Sequence, residues 1–294
     1  MSTSATGLPS GGQHSLPVQD QAAASALAPR RLKLILSLLG AALLAAAPVR
    51  AADEADAATV PILLYHRLAP TVVDSMTVSI PVFESQLAYL KDHGYGVIPL
   101  QRLLAYLRGT APPPPPRSVV ITADDGHRSV YERMLPLLKR YGYPATLFIY
   151  PSAISNADYA LTWAQLRELK ATGRFDIQSH TYWHPNFMKE KRTLAPEAYA
   201  KLVDSQLVRS REKLERETGG EITLLAWTFG LYDEDLMKRA SELGYRAAFT
   251  IERRHARPGD DLMALPRYLV TDFDSGERFG QLLAGPAARR MRSR

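Results

Sequence analysis

The sequence predicts an α/β protein built on a parallel sheet, open or closed. From residue 60 onward, short apolar or β-branched runs alternate with segments of helical periodicity, the order that strand–helix repeats require. Chemistry-bearing residues follow several of these runs directly. They fall at what would be C-terminal strand ends, where α/β barrels gather their catalytic side chains. No G-x-G-x-x-G or Walker-type loop and no internal repeat is present, so a dinucleotide or phosphate cradle has no support.

Residues 1–29 are rich in Ser, Gly, Ala and Gln without periodicity and are expected to form a disordered leader. In residues 30–51, Arg30-Arg31-Leu32-Lys33 precedes an apolar run over 34–47, and Pro48-Val49-Arg50-Ala51 follows. A charged stretch, an apolar stretch and small residues are the layout of a secretory signal. The run falls short of the ~20 apolar residues of a spanning helix. The leader is long for a signal, so an uncleaved membrane anchor is the alternative. Both readings export the chain, either to the periplasm or held on the inner membrane facing it, and the paired arginines admit a twin-arginine route. Residues 52–59 are a linker, 60–284 a single folded domain and 285–294 a basic tail read as a solvated terminus.

Within the domain, 60–65 is a strand ending at His66. Residues 81–93 form a helix with Pro81 in its first turn and Gly94 as its stop, and 100–107 form a second helix. The prolines of 112–116 make a stiff connector. Ser118-Val119-Val120-Ile121-Thr122 is a β-branched strand leading into Asp124-Asp125-Gly126. A helix over 129–141 follows, with Ser129 and Glu132 as a capping box. Further strands are expected over 146–150, 176–179, 224–227 and 247–250. The helices between and after them cover 162–172 (capped by Thr162), 196–218, 233–243 and 275–283.

The 294 residues carry a formal net charge of +6 and 46% hydrophobic residues, a globular composition with length for one large core. There are no cysteines, which excludes disulfides and thiolate metal sites; any metal must be held by His, Asp or Glu. No stripe of Lys and Arg interleaved with aromatics is present, so nucleic acid is not an expected partner.

Two residue groups carry chemistry. Asp124 and Asp125 are adjacent acids at a strand end, and like charges this close disfavour joint ionisation. A cation held by one of them would leave the other free as a base. Taken alone, Asp-Asp-Gly is better read as a turn. His180 and His184 follow a second strand, and their spacing puts both imidazoles on one face if the segment is helical. With Asp125 they make a three-ligand set that leaves a coordination position for water.

At these motifs the chain resembles the polysaccharide deacetylases of carbohydrate esterase family 4, the chitooligosaccharide deacetylase homology domain. The family's T-F-D-D-G is here Thr122-Ala123-Asp124-Asp125-Gly126, and its H-[ST]-x-x-H is His180-Thr181-Tyr182-Trp183-His184. Pro61-Ile62-Leu63-Leu64-Tyr65-His66, residues 124–132, Leu161-Thr162-Trp163 and Leu265-Pro266-Arg267 resemble the poly-β-1,6-N-acetylglucosamine N-deacetylase branch. The similarity spans about residues 60–279.

The resemblance implies a distorted (β/α)7-type barrel and metal-dependent hydrolysis of an N-acetylated polysaccharide by a monomer. Membrane association, if any, would run through the N-terminal segment. In these terms Asp124 is the general base and His66 the general acid. Asp125, His180 and His184 hold one divalent ion, zinc, with cobalt or nickel as alternatives. The third motif is Trp227-Thr228-Phe229-Gly230, with the Phe229 N–H aimed at the oxyanion.

Trp183, Phe229 and Tyr232 are candidates for a sugar-stacking wall, with barrel-rim packing as the other reading. Arg267 is the candidate to orient the base, with a surface ion pair as the alternative. Ala123 and the Thr228-Phe229 pair depart from the family pattern. They keep two alternatives open: a carbohydrate-binding protein impaired in catalysis, or a hydrolase of O-acetyl esters or non-sugar amides.

Overall fold

The structure, a computed structural model, describes residues 58–292, with side chains placed as far as Gly285. The leader, the signal or anchor segment and most of the linker lie outside the described residues, as do the side chains of the basic tail. Among the described residues no helix is long and apolar enough to cross a membrane.

In chain order the first elements are β1 (Ile62–Tyr65), β2 (Arg67–Ala69), β3 (Thr77–Ser79), α1 (Ile80–Asp92), β4 (Gly96–Val97), α2 (Leu100–Leu107) and β5 (Ser118–Asp124). There follow α3 (Leu135–Tyr141), β6 (Ala145–Ile149), α4 (Trp163–Ala171), β7 (Phe175–Ser179), α5 (Phe187–Thr193) and α6 (Pro196–Thr218). The last are β8 (Leu224–Ala226), α7 (Glu234–Glu242), β9 (Ala247–Phe249), β10 (Tyr268–Leu269) and α8 (Gly276–Arg292). The main sheet runs β10-β1-β5-β6-β7-β8-β9, all pairs parallel, with β4 beside β5.

The two edges of this sheet meet through one short segment. Leu265 bridges Phe249 of β9 in parallel, and Tyr268 and Leu269 pair with Leu63 and Leu64 of β1. The strands therefore curl into a distorted barrel, as the sequence predicts, and residues 265–269 are its seam.

Strand parity sorts side chains to the two faces. Along β5, Val119, Ile121 and Ala123 join the outer core beneath the helices. Val120 faces the barrel interior with Ile62, Phe148, Leu224, Ala226 and Phe249. The same interior cluster includes Leu100, Leu103 and Leu104, so α2 packs as a plug. Asp124 has the inward parity of Val120. Each fully buried Leu or Phe contributes roughly 1.5–3 kcal/mol, so this interior is a packed core and not a pore.

Several local expectations are revised. The helix after Gly126 starts with a π turn (Val130–Met134), and Ser129 does not cap it. Ser129 has helical φ/ψ (−62°, −18°), not the extended backbone an N-cap needs. Its Oγ instead accepts the Leu68 N–H at 2.9 Å and bonds His127 Nδ1 at 2.9 Å. The segment 180–184 is not helical. The small β2–β3 sheet, β4, α5 and β10 are too short to show as periodic runs.

At α4 the capping box is complete. Thr162 Oγ1 accepts from Gln165 N and Gln165 Oε1 accepts from Thr162 N. Thr162→Ala is expected to cost about 1 kcal/mol and to lower the melting temperature by about 2–4 °C, as scanning calorimetry would register.

Candidate metal centre and cleft

The site is assembled where the strands end. Asp124 closes β5 and points into the barrel. Asp125 follows with φ 73° and Gly126 with φ 76°, both left-handed. Asp tolerates that region better than most residues. A Cβ on Gly126 would also sit 3.0 Å from the Cδ1 atoms of Ile149 and Ile154. Both carboxylates stay near His180 Nε2, Asp125 Oδ1 at 3.6 Å and Asp124 Oδ2 at 3.8 Å.

Asp124 receives a two-pronged hydrogen bond from Arg267, at 2.8 Å and 2.7 Å, and both side chains are buried. Arg267 Nε also donates to the Thr250 carbonyl at 3.1 Å. Burial pushes the Asp124 carboxyl up. The Arg267 guanidinium, with His180 and His66, outweighs it and holds the group below the usual carboxylate range. Asp125 has no such partner. Burial, with the neighbouring Asp124 charge, raises its carboxyl despite the pull of His66.

His180 and His184 turn towards Asp125. His180 Nε2 lies 3.6 Å and His184 Nε2 3.7 Å from Asp125 Oδ1, too far for hydrogen bonds. The three donor atoms all lie within 4.8 Å of one another. Donors about 2.0–2.2 Å from one divalent ion can stand no more than about 4.4 Å apart, so both pairs through Asp125 Oδ1 are close enough to share one. Asp125 Oδ1 is itself buried with no hydrogen-bond partner. An orphaned acceptor facing two imidazoles is the arrangement a divalent cation would complete.

Each imidazole is presented by its backbone. His180 Nδ1 lies 2.8 Å from the Ala226 carbonyl, which can only accept, so Nδ1 carries the hydrogen and Nε2 a free lone pair. Burial drives the His180 imidazolium down to about 3. His184 is likewise lowered by burial, so both rings are neutral. Thr181 and His184 both have φ of 65°, and a tight loop, not a helix, brings the rings to 4.7 Å between centroids.

The remaining predicted residues surround this centre. His66 follows β1 and lines the cleft beside Arg67, its Nδ1 buried without a partner. Phe229 lies in the short turn after β8 with φ 57°, half exposed, its ring 4.6 Å from that of His184. Trp183 is exposed on the cleft wall. Tyr232 is placed differently: it stacks on Trp227 at 6.2 Å and does not line the cavities beside Asp125.

Two tyrosines were missed from sequence. Tyr150 directly follows β6, tilts against His184 at 5.4 Å and shares a hydroxyl hydrogen bond with Tyr159. With Asp125 they line both lobes of the cleft. One lobe, of about 490 Å³, runs to Trp183 and His184; the other, of about 260 Å³, runs to His66, Arg67 and His127. Tyr150 obeys the same strand-end rule as His66 and Asp125, which is the signal that could have found it.

An α/β barrel with an Asp-His-His cluster and a separate buried carboxylate at its strand ends is the architecture of a hydrolase. The comparisons make the class specific. A family model, Polysaccharide deacetylase, matches residues 111–248. YxkH of Bacillus subtilis (strain 168), named for polysaccharide deacetylases, is 30% identical over 223 residues, 76% of this chain and 75% of that one. The poly-beta-1,6-N-acetyl-D-glucosamine N-deacetylase of Staphylococcus aureus (strain MRSA252) is 26% identical over 213 residues, 71% and 73% of the two chains.

Among solved structures, IcaB from Ammonifex degensii superposes with a TM-score of 0.68 at 26% identity, over 77% of this chain and 96% of that one. The Streptococcus pyogenes deacetylase PplD gives 0.69 at 23% identity over 77% and 99%, a likeness of fold. The chain belongs to the polysaccharide deacetylase family of hydrolases. The matched segment contains Asp124, Asp125, His180, His184 and Phe229, whereas His66 and Arg267 lie outside it.

The neutral His180 carries a pH signature. Between pH 6.5 and about 3 the unfolded chain binds a proton there that the folded chain refuses, so stability falls as pH falls through this window. Metal-free wild type should lose melting temperature steeply from pH 6.5 to 5, and His180→Gln should flatten the slope. An unchanged slope in the variant would contradict the burial argument.

Proposed function

We propose that this chain is a metal-dependent N-deacetylase of an amino-sugar polysaccharide, poly-N-acetylglucosamine-like, that releases acetate. The observation that carries the reading is the division of the two adjacent acids. Asp125 faces two neutral imidazoles without a hydrogen-bond partner on Oδ1, while both oxygens of Asp124 are engaged by Arg267. A divalent ion held by Asp125, His180 and His184, zinc or alternatively cobalt or nickel, would polarise the amide carbonyl and acidify a water from 15.7 towards ≈ 7.

The chain's own groups do the rest. Asp124 takes the proton of the attacking water. Each of its oxygens has a second lone pair beyond the one Arg267 occupies, and a carboxylate held low stays ionised at neutral pH. His66, which lines the smaller lobe, gives a proton to the leaving amine. The Phe229 N–H donates to the oxyanion, a contact typically worth ≈ 2.7–4 kcal/mol. Tyr150, Tyr159 and Trp183 flank the sugar.

The relatives named for poly-beta-1,6-N-acetyl-D-glucosamine support the polymer class. Ala123, the departure that suggested a catalytically impaired binding protein, lies on the outer face of β5 in the helix-side core. It therefore leaves the cleft side of the carboxylates untouched. The signal- or anchor-like pattern of residues 30–51 supports a protein acting outside the cytoplasm, either cleaved or anchored; that it acts as a monomer is part of the proposal.

The test is metal analysis together with acetate release from β-1,6-linked N-acetylglucosamine oligomers. Wild type should bind one divalent ion and release acetate. Asp124→Asn should keep the ion and lose turnover by two or more orders of magnitude, the range of general-base loss, whereas His180→Ala should lose the ion. Normal turnover in Asp124→Asn would remove the base assignment. Sugar affinity with bound metal and no acetate would favour the binding-protein reading, and release from an O-acetyl ester alone would redirect the substrate. Separately, Arg267→Met should move the acidic limb of kcat/KM to higher pH, because the Asp124 carboxyl loses its largest favourable partner. A pH–rate profile superposable on wild type would exclude this role for Arg267.

A further inference from the structure

The loop between the two candidate imidazole ligands is gripped by one face of α6. Gln206, Arg209 and Ser210 stand at i, i+3 and i+4 on that helix and so project together. Gln206 Oε1 accepts from two consecutive backbone amides of the loop, Tyr182 N–H at 3.1 Å and Trp183 N–H at 2.9 Å. The Arg209 guanidinium lies 4.1 Å from the centre of the Tyr182 ring. Ser210 Oγ bonds Ser179 Oγ at 2.8 Å, at the end of β7. Gln206 is 2% exposed and Ser210 fully buried.

The loop they hold contains the left-handed residues Thr181 and His184. Its inner bonds, Thr181 N–H to Ser179 Oγ and His184 N–H to Thr181 Oγ1, are both 3.2 Å and long. The strong restraint on this backbone therefore comes from outside it. On its far side the Tyr182 carbonyl accepts the Ser152 N–H at 3.0 Å, tying the loop to the segment that carries Tyr150 and Tyr159.

We propose that Gln206 is a positioning residue for the metal centre. It fixes the Tyr182–Trp183 backbone and so sets the distance between the His180 and His184 Nε2 atoms before any ion arrives. This rests on the Asp-His-His reading above. Removing the carboxamide takes the acceptor from two part-buried amides and frees His184 to leave the left-handed region, while His180 stays on the Ala226 carbonyl.

The test compares Gln206→Leu, Gln206→Glu and wild type, each stripped of metal and titrated with cobalt(II) against a competing chelator. Cobalt affinity and its visible ligand-field spectrum are the readouts. Gln206→Leu should bind about 10–100-fold more weakly, the range for outer partners of metal ligands, with an altered spectrum. Gln206→Glu keeps an oxygen in place and should restore both. Wild type that takes up no cobalt would overturn the metal reading itself. Wild type that binds while Gln206→Leu keeps wild-type affinity and spectrum would overturn only the positioning role.

Should the leucine variant not fold, amide hydrogen exchange on metal-free wild type decides the matter. Slow exchange at Tyr182 and Trp183 supports a loop set in advance, and exchange as fast as in exposed loops refutes it.

Discussion

The buried pair of Asp124 and Arg267 is the contact on which the rest of the site depends. Two adjacent carboxylates at the end of an inner strand are unstable company unless their charges are given separate partners. Arg267 settles Asp124 with two hydrogen bonds from a side chain that is itself fully buried. It lies over Phe148 at 5.2 Å and Phe249 at 5.9 Å, on top of the interior aromatic layer. Breaking a buried pair of this kind typically costs 3–5 kcal/mol, because the surviving charge is left without compensation. Arg267 also belongs to the seam that joins β9 to β1, so barrel closure and the separation of the two acids are a single event.

A second constraint is backbone strain, and it is concentrated. Arg117 aside, every non-glycine residue with positive φ among the described residues, namely Asp125, Ser155, Thr181, His184 and Phe229, lies in a loop after a strand's C-terminal end. Such residues cost of order 1–3 kcal/mol each and persist only where their surroundings over-determine them. Here the surroundings are visible. The Tyr150–Tyr159 segment is fastened to the Asp125 turn by the Arg128 N–H to the Tyr159 carbonyl (2.8 Å) and the Leu161 N–H to the Gly126 carbonyl (2.9 Å). The loop between the histidines is held from α6. Strain that bends the chain towards one point is what lets ligands from β5 and β7 meet.

The parts of this arrangement that were legible in the sequence are those written in local pattern. The β-branched run of β5 announced a strand, and the strand-end rule then put Asp124, His66 and His180 on one rim. The Thr162 cap was readable because a cap acts within one turn of its helix, although its Gln165 partner was not singled out. What was not legible depends on partners far along the chain. Arg267 is named in the sequence only through the resemblance, with a surface ion pair as its alternative; its burial on Asp124 depends on barrel closure bringing together residues 143 positions apart. The i, i+4 spacing of His180 and His184 suggested a helix, since no local signal marks two non-glycine residues for left-handed backbone. Ser129 looked like a cap until the Leu68 amide claimed its hydroxyl. Gln206 was an ordinary polar position on a long helix until the loop it holds was placed beside it.

Sheet register carries the argument one step further, to the chemistry of a single nitrogen. Ser179 of β7 pairs with Leu225 of β8. The next residue on each strand is therefore brought abreast, and His180 Nδ1 meets the Ala226 carbonyl. That carbonyl decides which ring nitrogen carries the hydrogen and so which one faces Asp125. Since β7 is held by its pairing with β6, a one-residue slip of β8 would withdraw the Ala226 carbonyl from His180 Nδ1, and with it the contact that fixes the tautomer. The donor set is thus specified by the same parallel pairing that builds the barrel, and a substitution that disturbs β8 far from the cleft acts on the metal site through its register.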